Sequence, residues 1–402
     1  MNDEREPVMT RVHVAGVGMI PFAKPSQSDD WDVMAEQAIR LALADAGVSY
    51  DQVQQAFAGY VYGDSTAGQS ALYRVGITGI PIVNVNNNCA TGSTALYLAR
   101  QMIALGAADC VLAVGFEQMV PGALGMVFND RKRTLDLGLS RQDEIQGTDP
   151  DVPFAAQQFG GAGLDHQARY GTSDEAFAMI SVKARRHAAN NPMALLRAPL
   201  SLEEVMASKH LFGPITRFQA CPPTCGAAAA VLVSADFAAR HAIDSSVEIV
   251  AQALASDMPG TFKDGSMIDV VGFGMAREAA RQVYEAAGVG PDDIGVVELH
   301  DCFTPNELIS YEALGLTPQG TAEQYIRDGH NTYGGRHVVN PSGGLLSKGH
   351  PLGATGLAQC YELTQQLRGT AGSRQVEGAR FGLQHNIGLG GACVVTLFGR
   401  SA

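Results

Sequence analysis

The chain of 402 residues has no excess of basic residues, since 28 Lys and Arg are outnumbered by 41 Asp and Glu, for a formal charge of −13. A nucleic-acid partner is therefore not expected, because its binding surface would need a basic face. A polyanionic small molecule would instead need a local basic patch.

Long apolar runs are also missing, and none approaches the ~20 residues that a membrane span requires. Residues 1–7 are charged and lack the apolar core of a signal peptide. Residues 400–402 are not the Ser-Lys-Leu peroxisomal address. The seven cysteines are an odd number, which favours reduced thiols over a disulfide framework. We expect a cytoplasmic protein.

Aromatic residues are scarce at 7%, whereas hydrophobic residues reach 46% and charged residues 17%. This composition indicates a compact enzyme of tightly packed helices and sheets and argues against disorder. A chain of this length is expected to form two or three domains.

The sequence repeats itself once, because segment 45–60 resembles segment 286–301. Each segment contains a glycine, Gly47 or Gly288, that ends a predicted amphipathic helix, and each then runs through a short turn into an apolar strand. The shared order of helix, glycine, turn and strand indicates a gene duplication. Chance similarity between α/β repeats is the alternative.

The two halves predict the same order of elements. The first half predicts strands at 12–18, 82–85, 110–114 and 227–234 and helices at 31–46 and 91–105. The second half predicts strands at 247–254, 295–299, 380–383 and 392–398 and helices at 275–287 and 354–367. Alternating strands and helices predict mixed α/β sheets with helices on both faces. We expect two such sheets packed around a pseudo-twofold axis.

Residues 120–220 have no counterpart in the second half and predict a mainly helical insertion that could cover a binding site. Its helical patches lie near 175–189 and 202–208. The predicted division is 1–119 for the first part of the amino-terminal half, 120–220 for the insertion, 221–245 for the closing strand of that half, and 246–402 for the carboxyl-terminal half.

Cys89 is a candidate nucleophile, since it lies between a predicted strand and a predicted helix. A helix N-terminus offers free N–H groups and a partial positive charge, which favour the nucleophilic thiolate. His350 occupies the equivalent turn of the second half, so pseudo-symmetry would bring it beside Cys89 as an activating base. The alternatives are a buried structural cysteine and a histidine that satisfies a loop hydrogen bond.

Two further motifs carry candidate groups. His300 and Cys302 follow the strand predicted at 295–299, at the strand end where α/β proteins usually place chemistry. No Cys-x-x-Cys pair accompanies them, and Cys221 and Cys225 have poor ligand spacing, so we expect no metal site. Glycines after the strand predicted at 380–383 would let backbone N–H groups approach a reacting oxygen.

Together these motifs resemble the thiolases, and among them the thiolase of the sterol carrier protein x type. The similarity runs from about residue 12 to residue 398 and rests on Asn86-Asn-Asn-Cys-Ala-Thr-Gly-Ser93, His300-Asp-Cys-Phe303, Asn340-Pro-Ser-Gly-Gly344 with Gly349-His-Pro-Leu-Gly-Ala-Thr-Gly356, and His385-Asn-Ile-Gly388.

The resemblance implies an α/β protein with a five-layered αβαβα fold from two duplicated halves, assembled as a homodimer or homotetramer. It implies that Cys89 is the nucleophile, that His350 is its base, and that His300 and Cys302 are catalytic. Gly388, Asn386 and His385 are then the oxyanion-hole loop. Many thiolases carry a second catalytic cysteine where this chain has Asn386, and Cys302 is the natural replacement, with Cys393 a weaker candidate.

The implied function is acyl transfer with coenzyme A as substrate and no bound cofactor or metal. A 3-oxoacyl-CoA would be cleaved through an acyl-cysteine, or formed in the reverse condensation, in fatty-acid, branched-chain or sterol side-chain metabolism. Candidate contacts to CoA are Arg133, Arg217, Ser256 and Gly353, with the basic stretches 131–133, Lys183 and 185–187 nearby in sequence. Because the chain stops at residue 402, we expect no sterol carrier domain.

Three rival functions remain. A thiolase-like carbon–carbon lyase would have lost the nucleophilic cysteine, and a non-catalytic acyl-CoA or lipid carrier would have lost the other catalytic groups. Cys89, His300, Cys302 and His350 are all present. A condensing ketosynthase also uses a cysteine at a helix start, but the segment 349–356 is more similar to thiolases.

Overall fold

The computed structural model describes residues 10–122, 128 and 130–401. The charged start at 1–7 and the last residue, which underlie the targeting predictions, lie outside the described residues, as do five residues at 123–127 and one at 129 within the predicted insertion. In the described part of the chain, no helix combines the length and apolarity needed to cross a membrane.

The amino-terminal half is built from strands and helices whose bounds follow the predicted order. These are β1 (Val12–Met19), α1 (Trp31–Ala46), β2 (Gln55–Gly59), α2 (Ala67–Tyr73), β3 (Ile82–Val85), α3 (Thr91–Ala104) and β4 (Cys110–Glu117). Next come α4 (Asp136–Gln146), α5 (Phe154–Tyr170), α6 (Asp174–Ala188), α7 (Leu202–Met206), β5 (His210–Phe212), β6 (Ile215–Thr216) and β7 (Gly226–Ser234).

The second half repeats the pattern after a short connecting helix. Its elements are α8 (Ala235–His241), β8 (Val247–Ala255), α9 (Met267–Val270), α10 (Phe273–Ala287), β9 (Val296–Glu298), α11 (Thr304–Ala313) and α12 (Ala322–Arg327). They are followed by β10 (Val338–Val339), α13 (Gly344–Ser347), α14 (Thr355–Arg368), β11 (Phe381–Gly388) and β12 (Ala392–Arg400).

The strand order supports the duplication. One half has the order β1-β7-β4-β2-β3 and the other β8-β12-β11-β9-β10. Equivalent neighbours also run in equivalent directions, with β1/β7 and β8/β12 antiparallel and β2/β3 and β9/β10 parallel. The two five-stranded sheets that were expected are present, one from each half. A single bridge between β1 and β8, with His13 opposite Glu248, joins them edge to edge into one continuous ten-stranded order.

The helices form layers outside and between the two five-stranded halves of the sheet. α1 packs on β1, β7 and β4, and α10 packs on β8 and β12, whereas α3 and α14 pack together between the two halves. The apolar residues of α3 and α14 share one buried cluster with side chains from both halves. The fold class predicted from the resemblance is therefore confirmed as a five-layered αβαβα arrangement.

The described part of the insertion holds the helices α4 to α7 and the small hairpin β5–β6 between β4 and β7. Helix α5 packs against α9 and α11 of the second half, which brings the insertion over the junction between the halves. The boundaries 1–119, 120–220, 221–245 and 246–402 stay a prediction.

Candidate active site

The amino-terminal ends of α3 and α14 meet at glycines, and this contact brings Cys89 and His350 together. A Cβ atom at Gly356 would lie 2.2 Å from the Ser93 nitrogen, and one at Gly92 would lie 2.6 Å from the Gly353 oxygen. Only glycine permits this backbone approach. The turns before the two helices, which carry Cys89 and His350, therefore lie side by side.

His300 completes a buried cluster at this junction. One ligand atom from each of Cys89, His300 and His350 lies within 4.8 Å of the other two. The two imidazole rings are 5.1 Å apart between centroids and nearly perpendicular, at 88°. The residues come from three separate motifs, and the two outermost, Cys89 and His350, are more than 250 positions apart in the sequence.

Cys302 lies on the same side of its segment as His300, because side chains alternate along extended backbone. Both line the pocket that holds Cys89 and His350. Asp301, between them, points the other way and accepts hydrogen bonds from the Leu345 and Leu346 nitrogens, at 2.7 and 3.3 Å. These bonds hold the segment against the start of α13.

The pocket in front of this cluster is apolar, and the insertion supplies one of its walls. The side chains on this wall belong to α5, to the residue before it, and to the β5–β6 region: Pro153, Phe154, Ala156, Phe159 and Leu211. Ile387 and Leu389 line the pocket from the second half. An apolar wall beside a buried thiol can hold an acyl chain.

The ring of His350 is held in one tautomer by Thr355. Its Nδ1 lies 2.7 Å from the Thr355 hydroxyl, which donates its single hydrogen to the Pro351 carbonyl at 2.9 Å. Nδ1 must therefore carry the ring hydrogen, and Nε2 keeps a lone pair. Nε2 is buried and has no hydrogen-bond partner among the described residues. Burial also lowers the pKa of His350, so the ring is neutral and able to accept a proton.

The ring of His300 is fixed by Asn386. Its Nδ1 lies 3.1 Å from Oδ1 of Asn386, an atom that only accepts, so Nδ1 carries the hydrogen. The Asn386 amide nitrogen donates to the Ser93 hydroxyl, at 3.0 Å, and to Oε1 of Gln359. Burial lowers the pKa of His300 to about 4, so this ring is also neutral.

A backbone carbonyl anchors the orientation of these amides. Gln384 donates from Nε2 to the Gly356 carbonyl and, at 3.3 Å, to Oε1 of Gln359. Because a carbonyl oxygen can only accept, it orients the Gln384 amide, which orients Gln359 and then Asn386. The tautomer of His300 thus follows from a chain of buried amides that begins at α14.

The expectation that the helix start lowers the pKa of Cys89 was wrong. Burial raises the pKa of this thiol to about 12, and the negative charge of Glu117 adds to the effect. Cys89 also precedes the first residue of α3 by two positions. The cysteine is therefore a thiol at rest, and it needs a base such as His350.

A first prediction concerns the pH dependence of alkylation at Cys89. Since its thiol pKa is raised to about 12, the thiolate fraction should grow about tenfold per pH unit throughout pH 7–10. The measurement is the iodoacetamide rate on the Cys89 peptide, followed by mass spectrometry, with an unfolded cysteine-containing peptide as the control that levels off above its thiol pKa of ~8.5. A plateau of the Cys89 rate below pH 8 would contradict the raised pKa.

The predicted oxyanion loop is part of a strand, which corrects the expectation of a loop after 380–383. β11 runs on to Gly388, which pairs with Ala392, so His385, Asn386 and Gly388 lie inside the strand. Buried hydrogen-bond partners hold the Asn386 amide within the sheet, whereas the glycines that follow had indicated a loop. A Cβ at Gly388 would lie 2.0 Å from the Asn87 carbonyl, which places this strand end directly against the Cys89 turn.

His385 has a different environment from the other two histidines. It is fully buried, and neither ring nitrogen has a hydrogen-bond partner among the described residues. Burial lowers its pKa to about 3, so the ring is neutral. It does not line the pocket that holds Cys89, and its predicted place in the oxyanion hole stays a prediction.

The predicted CoA contacts are scattered. Arg133, Arg217 and Ser256 are exposed, whereas Gly353 is buried and donates its N–H to Glu117 at 3.0 Å. Their roles stay predictions. Lys183 is not available for a phosphate, because it is buried and paired with Glu307.

Other basic side chains of the insertion also divide into buried and exposed ones. His187 is buried and bonded to the Asn340 carbonyl and the Thr332 hydroxyl, and Arg185 is buried against Phe218. Arg131 is exposed and paired with Asp130. The buried cations of α6 lie among apolar residues at helical spacing, and this placement in the sequence could have indicated their burial.

Sequence reasoning missed Glu117, which lies at the end of β4 and connects two separate backbone segments near the pocket. Its buried carboxylate accepts hydrogen bonds from the nitrogens of Val61, Tyr62 and Gly353, at 3.1, 2.9 and 3.0 Å. Burial raises the pKa of this carboxyl to about 7. A lone acid at the end of the apolar strand β4 was the available signal.

Comparison with known proteins gives the same family for both halves. Residues 12–196 match the model of the thiolase N-terminal domain, and residues 260–399 match the model of the thiolase C-terminal domain-like family. The chain is 53% identical to sterol carrier protein 2 of Bos taurus over 397 residues, which cover 98% of this chain and 73% of that protein.

Solved structures show the same fold. The Ltp2–ChsH2(DUF35) aldolase has a TM-score of 0.82 at 23% identity, covering 98% of each chain. The human mitochondrial 3-ketoacyl-CoA thiolase in complex with CoA has a TM-score of 0.75 at 20% identity, covering 98% of this chain and 99% of that one. Both family models match in order, and the Bos taurus relative is 53% identical over 98% of this chain, so the chain belongs to the thiolase family.

Proposed function

We propose that the protein is an acyl-CoA C-acyltransferase that cleaves 3-oxoacyl-CoA with free CoA, or catalyses the reverse condensation, through an acyl-Cys89 intermediate. One observation carries the proposal. The buried Cys89 thiol lies within 4.8 Å of a ring nitrogen of His350, whose Nε2 has no hydrogen-bond partner among the described residues, in an apolar pocket that also holds His300 and Cys302.

The first step makes the nucleophile. Nε2 of His350 takes the thiol proton of Cys89, since it has a free lone pair and no competing partner among the described residues. The thiolate then attacks the 3-keto carbon of the substrate. The alkoxide lies between the N–H groups of Cys89 and Gly388, where each donor would be worth ~3–4 kcal/mol in the transition state.

The second step breaks the carbon–carbon bond. Collapse of the alkoxide leaves an acyl thioester on Cys89 and releases the enolate of the shorter acyl-CoA. The His350 imidazolium formed in the first step donates a hydrogen bond to the enolate oxygen. His300 can donate there only when its Nε2 is protonated, because its Nδ1 hydrogen is held by Asn386. Cys302 gives its thiol proton to the enolate carbon.

The third step returns every proton. The Cys302 thiolate takes the proton of the incoming CoA thiol, and the CoA thiolate attacks the acyl-Cys89 thioester. Cys89 leaves as a thiolate and regains its proton from the His350 imidazolium. CoA is thus a substrate, and the sequence of steps uses no bound cofactor.

The insertion supports the proposal by its position. Its helix α5 supplies the apolar wall of the pocket, and we infer that its flanks contribute to the CoA site, with Arg133, Arg217, Ser256 and Gly353 as candidate contacts. A complex in which CoA touched neither 120–220 nor the adjoining residues would contradict this inference. Assembly as a homodimer or homotetramer remains a proposal.

The lyase is the second candidate function, since the fold is similar to that of the Ltp2–ChsH2(DUF35) aldolase. The buried nucleophile Cys89 favours acyl transfer over it. The deciding experiment is a cleavage assay on a panel of straight, 2-methyl-branched and sterol side-chain 3-oxoacyl-CoAs, with and without free CoA. Cleavage that requires CoA supports the transferase, whereas cleavage without CoA supports the lyase.

A second prediction concerns Thr355, which positions the base. Thr355→Val keeps the side-chain volume but removes the oxygen that accepts the Nδ1 hydrogen of His350. We expect kcat to fall ~10–100-fold, the usual cost of losing a group that orients a catalytic histidine. The matched control is Thr364→Val on the same helix, whose hydroxyl lies 4.0 Å from the Cys360 sulfur and makes no hydrogen bond to His350 among the described residues. Equal activity in the two variants would contradict the orienting role.

A further inference from the structure

We propose that Cys89, His300 and His350 form a reversible binding site for a soft divalent cation such as Zn²⁺, which inhibits the enzyme while it is bound. The three donors are one thiol and two imidazoles, a ligand set that zinc prefers. The sequence analysis expected no metal site, because it considered the ligand spacing within each motif and not the three motifs together.

The donor atoms are close to the spacing that zinc needs. All three pairs lie within 4.8 Å. Tetrahedral zinc with bonds of ~2.3 Å to sulfur and ~2.1 Å to nitrogen places ligand atoms ~3.4–3.7 Å apart. Each pair therefore has to close by at most ~1.1–1.4 Å, a distance that side-chain rotation can supply.

In both imidazoles Nε2 is the nitrogen that keeps a lone pair for a metal ion. A metal-bound histidine usually donates its other ring N–H to a fixed acceptor. Here the Nδ1 hydrogen of His350 is held by the Thr355 hydroxyl, and that of His300 by Oδ1 of Asn386. The two Nε2 lone pairs are left free for a cation. Nε2 of His350 is buried and has no partner in the part of the chain that the structure describes.

Charge and protons also balance. The Cys89 thiol releases one proton to solvent when its sulfur binds the cation, so one proton appears per metal ion and a single positive charge remains. The buried Glu117 carboxylate, which is near enough to raise the pKa of Cys89, offsets that charge. The fourth position faces the apolar pocket and can hold water. A bound cation occupies the sulfur lone pair, so Cys89 can no longer attack.

The test uses Co²⁺ as a spectroscopic substitute for Zn²⁺, in buffer without CoA, whose own thiol binds metals. We expect one Co²⁺ per chain, a sulfur-to-cobalt charge-transfer band, the release of one proton, and displacement of the cobalt by Zn²⁺. The band should be absent in Cys89→Ala, and Thr355→Val should weaken binding by ~10–100-fold. The control is Cys221→Ala, which removes another thiol from the same pocket and should keep the band.

Several outcomes would overturn the proposal: no charge-transfer band at stoichiometric Co²⁺, a band that persists in the folded Cys89→Ala variant, or a band lost in Cys221→Ala. Activity is a separate readout, in which Zn²⁺ should inhibit and a chelator should restore the rate. Because the cobalt spectrum is recorded without substrate, failure of the metal site and failure of the proposed acyl transfer are distinguishable.

Discussion

Cys89→Ala should abolish thiolytic cleavage, with a loss of turnover on the order of 10⁶-fold, as for other enzymes that lose a covalent nucleophile. The reason is that no other thiol in the described pocket lies in the cluster of Cys89, His300 and His350. Steady-state cleavage of the preferred 3-oxoacyl-CoA, measured with free CoA, gives the magnitude. The substitution removes only a sulfur atom, so the variant should fold.

The same experiment has a direct chemical counterpart. Wild-type enzyme incubated with a 3-oxoacyl-CoA, without free CoA, should gain one acyl mass on the Cys89 peptide. Cys221→Ala, which alters another thiol of the pocket, should keep both the adduct and most of the turnover. Full turnover with no detectable adduct on Cys89 would show that the acyl-enzyme mechanism is wrong.

Cys302→Ala should lower turnover by roughly 10²–10⁴-fold, the range expected when a general acid and base is lost. Asn386 occupies the place of the second cysteine of many thiolases, and it is committed to orienting His300. Cys302 is the thiol that lies next to His300 on the same wall of the pocket. Burial raises its pKa well above the ordinary value, so it rests as a thiol with a proton to give.

A partial reaction separates this role from packing. Acylation of Cys89 by a simple acyl-CoA needs no proton on carbon, so Cys302→Ala should retain most of that rate while the overall reaction slows. Cys302→Ser is the conservative variant, because serine fills nearly the same space but its hydroxyl is a far weaker acid than a thiol. If Cys302 only packs, serine should restore turnover; if Cys302 transfers the proton, turnover should stay low. Near-normal turnover in folded Cys302→Ala would direct attention to Cys393 or to a bound water.

The order of elements could be predicted from sequence because hydrophobic periodicity and glycine stops are local signals. Helix α1 and strand β3 have the bounds that were predicted, 31–46 and 82–85. The candidate nucleophile and base were predictable as well, since each lies in a glycine-rich turn before a helix and the halves repeat. Pseudo-symmetry then predicted that the two turns would meet.

The electrostatics of the site could not be predicted in this way. The strand predicted at 380–383 was ended too early, because the hydrogen-bond partners of the β11 amides come from α3 and α14 and cannot be seen in a local stretch of sequence. A helix start suggested a low pKa for Cys89, but complete burial outweighs it. Glu117 was missed because its three hydrogen-bond donors lie on two separate segments of the chain.

The position of α3 between the two halves has a consequence for synthesis on the ribosome. Its apolar residues belong to a buried cluster that includes Leu357 and Leu363 of α14, more than 250 residues later in the chain. While the nascent chain is shorter than this, the face of α3 that will contact α14 is uncovered. The first half therefore exposes an aggregation-prone apolar surface as it is synthesised, and we expect chaperones to bind it until the second half has been made.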